Sequence, residues 1–92
     1  MRVLVVEDDR SIQMVLELVL TRAVKCEVSV ASEGPQGLEM LRTLKPDVVL
    51  LDLMLPGMDG FEICQQAKAD EKTRAIPIIF LTAQPQPSRL VW

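Results

Sequence analysis

Three apolar runs in this chain each stop on side chains suited to handling charge. Arg2-Val3-Leu4-Val5-Val6 runs into Glu7, Asp8 and Asp9; Val48-Val49-Leu50-Leu51 stops at Asp52; and Ile76-Pro77-Ile78-Ile79-Phe80-Leu81 stops at Thr82. If the runs are parallel strands, their carboxyl ends share one edge of a sheet, where open α/β sheets place their ligands. Glu7, Asp8, Asp52 and Thr82 then meet. Converging carboxylates repel one another and hold protons more tightly unless a cation is present. A hard divalent cation removes that conflict, and Mg2+ asks little of the protein because it retains several waters. Taken singly, each residue also has a plainer role. Asp52 suits a strand end that caps the next segment, Glu7, Asp8 and Asp9 suit a solvated turn that caps a helix, and Thr82 suits a β-branched strand terminus.

The elements that must position these residues are set by periodicity. Residues 48–52 show no apolar/polar alternation, the pattern of a strand buried on both faces. Pro56-Gly57 and Gly60 then turn the chain. After the first strand, Asp9 or Ser11 can cap a helix to about Ala23 on a stripe of Ile12, Val15, Leu16 and Val19, widened by Met14, Leu18 and Leu20. So wide a stripe expects cover on more than one side. Val28 and Val30 alternate with polar residues over 27–31, which suits an edge strand. Ser32 caps the next expected helix, with Pro35 in its first turn and Leu38, Leu41 and Leu44 toward the sheet, and Lys45-Pro46 ends it. A third helix is expected from about Phe61 to Ala69, placing Phe61, Cys64 and Lys68 on neighbouring turns beside Ile63 and Ala67, and a charged, solvated loop over 70–75. Strand and helix alternate throughout, which predicts a doubly wound parallel α/β sheet. The flavodoxin-like variant begins in strand order 2-1-3-4.

Bulk properties narrow the function. Ninety-two residues make one domain, which buries only about 60 to 65% of the surface of its unfolded chain. With 49% apolar residues but only two Phe and one Trp, the expected core is aliphatic. A net charge of −3 without a basic patch argues against direct nucleic-acid binding. Cys26 and Cys64 have no metal or redox spacing, so both are expected as reduced, buried thiols in a cytoplasmic protein. No apolar stretch reaches the roughly eighteen residues of a membrane span, and no signal peptide is expected ahead of the first run.

The segments VLVVEDD, PDVVLLDLMLPGMDG and IPIIFLTA, with thirty residues from Asp52 to Thr82, resemble the receiver domain of two-component response regulators over about residues 1–83. The resemblance implies Mg2+ held directly by Asp8 and Asp52, with Glu7 acting through water and the main-chain carbonyl of Met54 completing the set. It further implies that Asp52 is the phosphoacceptor and that Thr82 contacts the phosphoryl group as a switch. Phosphoryl transfer of this kind needs mainly positioning and charge neutralisation. The implied donors are a phosphohistidine on a sensor histidine kinase or phosphotransfer protein, or a small acyl phosphate or phosphoramidate. The expected role is signal transduction, not that of an enzyme. A haloacid-dehalogenase type of hydrolase is set aside, because its second Asp would stand where this chain has Met54.

The family pattern continues after a fourth strand into a further helix, a fifth strand with a lysine, and a last helix. Residues 84–92, QPQPSRLVW, are read as departing from it. The expectation is a receiver truncated after the fourth strand, carrying an atypical Pro-containing tail and accepting phosphoryl groups slowly for want of that lysine. Loss of the fifth strand and last helix would leave an edge and an apolar face open. A homodimer is therefore expected through the fourth strand, the first helix or the tail cluster Leu90-Val91-Trp92. The competing expectation is a phosphorylation-independent interaction module, or a truncated gene product, on the same scaffold.

Overall fold

The computed structural model describes residues 1–53, 55 and 58–81. Expectations that rest on Met54, Pro56, Gly57 and residues 82–92, Thr82 and the tail cluster among them, lie outside the described residues. The elements run β1 (Arg2–Val6), α1 (Arg10–Arg22), β2 (Glu27–Ala31), α2 (Gly34–Leu44), β3 (Val48–Asp52), α3 (Gly60–Ala69) and β4 (Ile78–Leu81). Their strands form one parallel sheet in the order β2-β1-β3-β4, the flavodoxin-like order that the alternation predicts.

The sheet sorts side chains by the two-residue strand period. Leu4, Val6, Val49 and Leu51 point to one face, where Leu38 and Leu41 of α2 and Ile63 and Ala67 of α3 cover them. Val3, Val5, Val48 and Leu50 point to the other, where Leu16 and Leu20 of α1 pack. Leu4, Val5 and Leu51 have no exposed surface. The unbroken apolar character of β1 and β3 thus reflects helices on both sides. Gly37 lets α2 lie close on β1, since a Cβ there would sit 2.9 Å from both methyl carbons of Val6.

Local chemistry fixes the helix ends. Asp9, not Ser11, caps α1, its carboxylate accepting from the Ser11 and Ile12 amides at 2.8 and 3.3 Å. Ser32 does not cap α2. Glu33 occupies that position without a side-chain bond, and the Ser32 amide instead donates to Gln36 Oε1 at 3.1 Å. Pro35 lies in the first turn of α2, and Lys45, left-handed at φ 47°, ends it ahead of Pro46. Asp59 caps α3 through the Glu62 amide at 2.9 Å.

Four expectations are corrected. In α1 the residues packed on the sheet are Leu16 and Leu20, with Ile12 half-buried, whereas Val15 and Val19 are 60% and 50% exposed, as are Met14 and Leu18 in similar degree. The apolar arc is so wide that spacing does not select one face, and α1 has no fully buried residue. The 70–75 loop is not simply solvated: Thr73 is buried, its Oγ1 donating to the Ala67 carbonyl at 2.6 Å. β4 starts at Ile78, not Ile76, because Pro77 has no amide to donate; its carbonyl accepts from the Val49 amide at 3.0 Å. Cys26 is buried but Cys64 only half-buried, and both are free.

Candidate functional site

Register builds the site. Val6 of β1 is paired with Leu51 of β3, so the next residue on each strand, Glu7 and Asp52, falls at the same level of the sheet edge. Asp8 comes next, in the β1–α1 turn. One ligating oxygen from each of Glu7, Asp8 and Asp52 lies within 4.8 Å of the others. Glu7 and Asp52 are only 3% and 8% exposed, while Asp8 is open to solvent. Asp9 stands outside this cluster, occupied at the α1 cap.

Glu7 is the most constrained member. Its amide donates to the Ala31 carbonyl at 3.0 Å, and its carboxylate accepts from the Asp9 amide at 3.2 Å. Its main-chain carbonyl accepts from Gln13 Nε2. Burial pushes its pKa up from 4.5 to about 7; the Asp9 amide opposes this, while Asp52 and then Asp8 add to it. Near neutral pH the metal-free Glu7 carboxyl is therefore divided between its protonated and ionised forms.

The floor beneath Asp52 is set by Gly60. Its amide donates to the Leu53 carbonyl at 2.9 Å, and a Cβ at Gly60 would lie 2.7 Å from the Asp52 carbonyl oxygen and 2.8 Å from Leu53 Cα. Both contacts are with backbone, so no side-chain rotation relieves them. Only glycine lets α3 start this close to the strand end.

The donor set suits a hard divalent cation. All three groups are carboxylates, two are buried, and their mutual repulsion is relieved by a proton alone unless a cation takes its place. Mg2+ with retained waters fits such a set, since octahedral ligands at about 2.1 Å lie roughly 3 to 4 Å apart and one carboxylate can act through water. Met54 and Thr82 are outside the described residues. Sequence reasoning missed Gln13, which donates to both the Glu7 carbonyl and Ser32 Oγ, the latter at 3.2 Å. The available signal was a lone polar residue between Ile12 and Met14 in an apolar helix.

The architecture is thus a flavodoxin-like parallel α/β sheet in the order 2-1-3-4 with an acidic cluster on its carboxyl edge. The match to known proteins is specific. The model of the response regulator receiver domain matches residues 3–91. The transcriptional regulatory protein AfsQ1 of Streptomyces coelicolor is 47% identical over 81 residues, covering 88% of this chain and 34% of that protein. The N-terminal domain of a response regulator receiver protein from Methanoculleus marisnigri superposes with a TM-score of 0.86 at 40% identity, over 92% of this chain and 68% of that one. The receiver domain of sensor histidine kinase PA1611 from Pseudomonas aeruginosa, with magnesium coordinated in its active-site cleft, gives a TM-score of 0.84 at 34% identity over 90% of this chain and 67% of that one. This chain belongs to the receiver domain family of two-component response regulators. It spans about a third of the length of AfsQ1. Receiver domains work with histidine kinases or phosphotransfer partners. Among the described residues, no helix is long and apolar enough to cross a membrane.

Proposed function

We propose that this domain binds Mg2+ at Glu7, Asp8 and Asp52 and accepts a phosphoryl group on Asp52. The observation that carries the reading is the convergence of three carboxylates within 4.8 Å at the strand ends, two of them buried. An Asp52 carboxylate oxygen attacks phosphorus, the P–N bond of a phosphohistidine or the P–O bond of an acyl phosphate breaks, and the pair in that bond leaves with the donor. The product is an acyl phosphate on Asp52. A bound Mg2+ would supply charge neutralisation for the phosphoryl oxygens. Burial of Glu7 and the close approach of the Gly60 backbone to Asp52 and Leu53 support the carboxylates at the strand ends. Asp8 and Asp52 are read as direct ligands, Glu7 as acting through water, with the Met54 carbonyl and Thr82 as further contacts by family resemblance.

The same reading makes the domain a phosphoacceptor, not an enzyme that turns over an external substrate, and places it in the cytoplasm without direct contact to nucleic acid. Self-association is a second proposed property. It is favoured by the exposed Met14, Val15, Leu18 and Val19 on α1 and by Ile79 on β4, one of the two edge strands among the described residues. A scattering mass of one chain at high concentration would remove it.

The experiment for the main reading is intact mass after incubation with Mg2+ and a small acyl phosphate, alongside Asp52→Asn. One phosphoryl addition on the wild type alone supports it, and no addition to the wild type removes it. Mg2+ should also raise the melting temperature, since a ligand at one hundred times its Kd stabilises the native state by about 2.7 kcal/mol.

A further inference from the structure

We infer that Gln13 is a positioning residue for the cation site, holding the β1–α1 turn so that Glu7 and Asp8 converge on Asp52. The inference rests on the Mg2+ reading above and adds a residue outside the carboxylate set. The turn and the helix fix each other. Asp9 caps α1, and the Gln13 amide donates to the Asp9 carbonyl at 2.9 Å. That places the Gln13 side chain one turn above the strand end. From there its amide group has two protons to give, and both are used. One goes to the Glu7 carbonyl, and the other to Ser32 Oγ at 3.2 Å.

Ser32 is itself held through its amide by Gln36 Oε1 of α2 at 3.1 Å. A single side chain therefore ties the end of β1 to the β2–α2 connection and, through it, to α2. Glu7 is then fixed at its amide by Ala31, at its carbonyl by Gln13 and at its carboxylate by the Asp9 amide. Of these three, only the Gln13 bond comes from a side chain that can be removed without changing a member of the cluster or its turn. Outer partners that orient ligands commonly matter to metal affinity almost as much as the ligands do.

The test uses the whole chain as wild type, Gln13→Met and Ser32→Ala. Methionine keeps the length and helix preference of glutamine but donates nothing. Mg2+ affinity is measured by isothermal titration, and amide exchange at Asp9 and Ser11 by NMR in EDTA, with the Glu27 and Val49 amides as distant controls. Gln13→Met is expected to weaken Mg2+ binding by about two- to tenfold, the range set by one net hydrogen bond. Exchange at Asp9 and Ser11 should quicken while Glu27 and Val49 stay unchanged. Ser32→Ala, which removes one of the two acceptors, should fall between. The metal-free melting temperature should fall by a few degrees in Gln13→Met, as losing these bonds requires, while the further rise on adding Mg2+ should shrink as well, which a merely structural role would not give. Unchanged Mg2+ affinity in Gln13→Met, or unchanged exchange at the turn, overturns the inference. If the wild type takes up no Mg2+, the cation reading fails and positioning toward it fails too. The EDTA exchange data separate that outcome from one in which Gln13 does not hold the turn.

Discussion

Replacing Glu7 by glutamine should stabilise the metal-free domain, and only above the acid range. Glu7 titrates at about 7 in the folded state against 4.5 as its ordinary value, chiefly because it is buried. A carboxyl whose folded pKa is raised holds more protons in the native than in the unfolded state between those two values, so stability falls as pH rises from about 4.5 to about 7. Below that window both states are protonated and Glu7 imposes no penalty. Above it the buried carboxylate is ionised beside Asp52 and Asp8. The shift corresponds to at most roughly 3 kcal/mol at pH 8, from about 1.4 kcal/mol per pH unit. Glutamine keeps the shape and hydrogen-bonding capacity of the neutral acid and never ionises. Urea unfolding in EDTA should therefore give equal midpoints for wild type and Glu7→Gln near pH 4.5 and a gain of about 1 to 3 kcal/mol for the variant at pH 8. Mg2+ should shrink that gain by stabilising the wild type. A variant no more stable than wild type at pH 8, or a constant difference across pH, would refute the placement of Glu7 as a buried, proton-holding member of the cluster.

The same geometry sets three further outcomes. Mg2+ uptake should release a proton near neutral pH, and apparent affinity should fall about tenfold from pH 8 to pH 6 if Glu7 must ionise; calorimetry in buffers of different ionisation enthalpy counts the proton. Gly60→Ala forces a Cβ onto the Asp52 carbonyl and Leu53 Cα and should cost about 1 to 3 kcal/mol in urea unfolding, while weakening Mg2+ binding. Thr73→Val should cost about 1 kcal/mol through the lost bond to the Ala67 carbonyl, with no change in metal affinity because Thr73 lies after α3 at the opposite end from Asp52.

The parts of this molecule legible from sequence are those governed by short-range rules. Buried strands announce themselves as unbroken apolar runs, and the carboxylates matter because they stand directly at the ends of those runs. Parallel alternation then places Glu7, Asp8 and Asp52 together before any contact is known. The hidden parts depend on long-range choices. Which arc of α1 meets the sheet cannot be read from a helix whose apolar residues cover most of its circumference, so spacing points Val15 and Val19 inward while Leu16 and Leu20 take that place. Ser32 has the residue type of a cap, yet Gln13, nineteen positions away, takes its hydroxyl. Thr73 sits among charged neighbours, and only the return of the loop onto the end of α3 buries it.

The measurement that most directly tests the central claim is chemical mapping of the phosphoryl group. After reaction with an acyl phosphate donor and Mg2+, borohydride reduces an aspartyl phosphate to homoserine, and peptide mass spectrometry locates the change. Homoserine is expected at position 52, dependent on Mg2+ and lost on Asp8→Asn. Unmodified Asp52 under these conditions, or a phosphoryl group mapped to another residue, would contradict it.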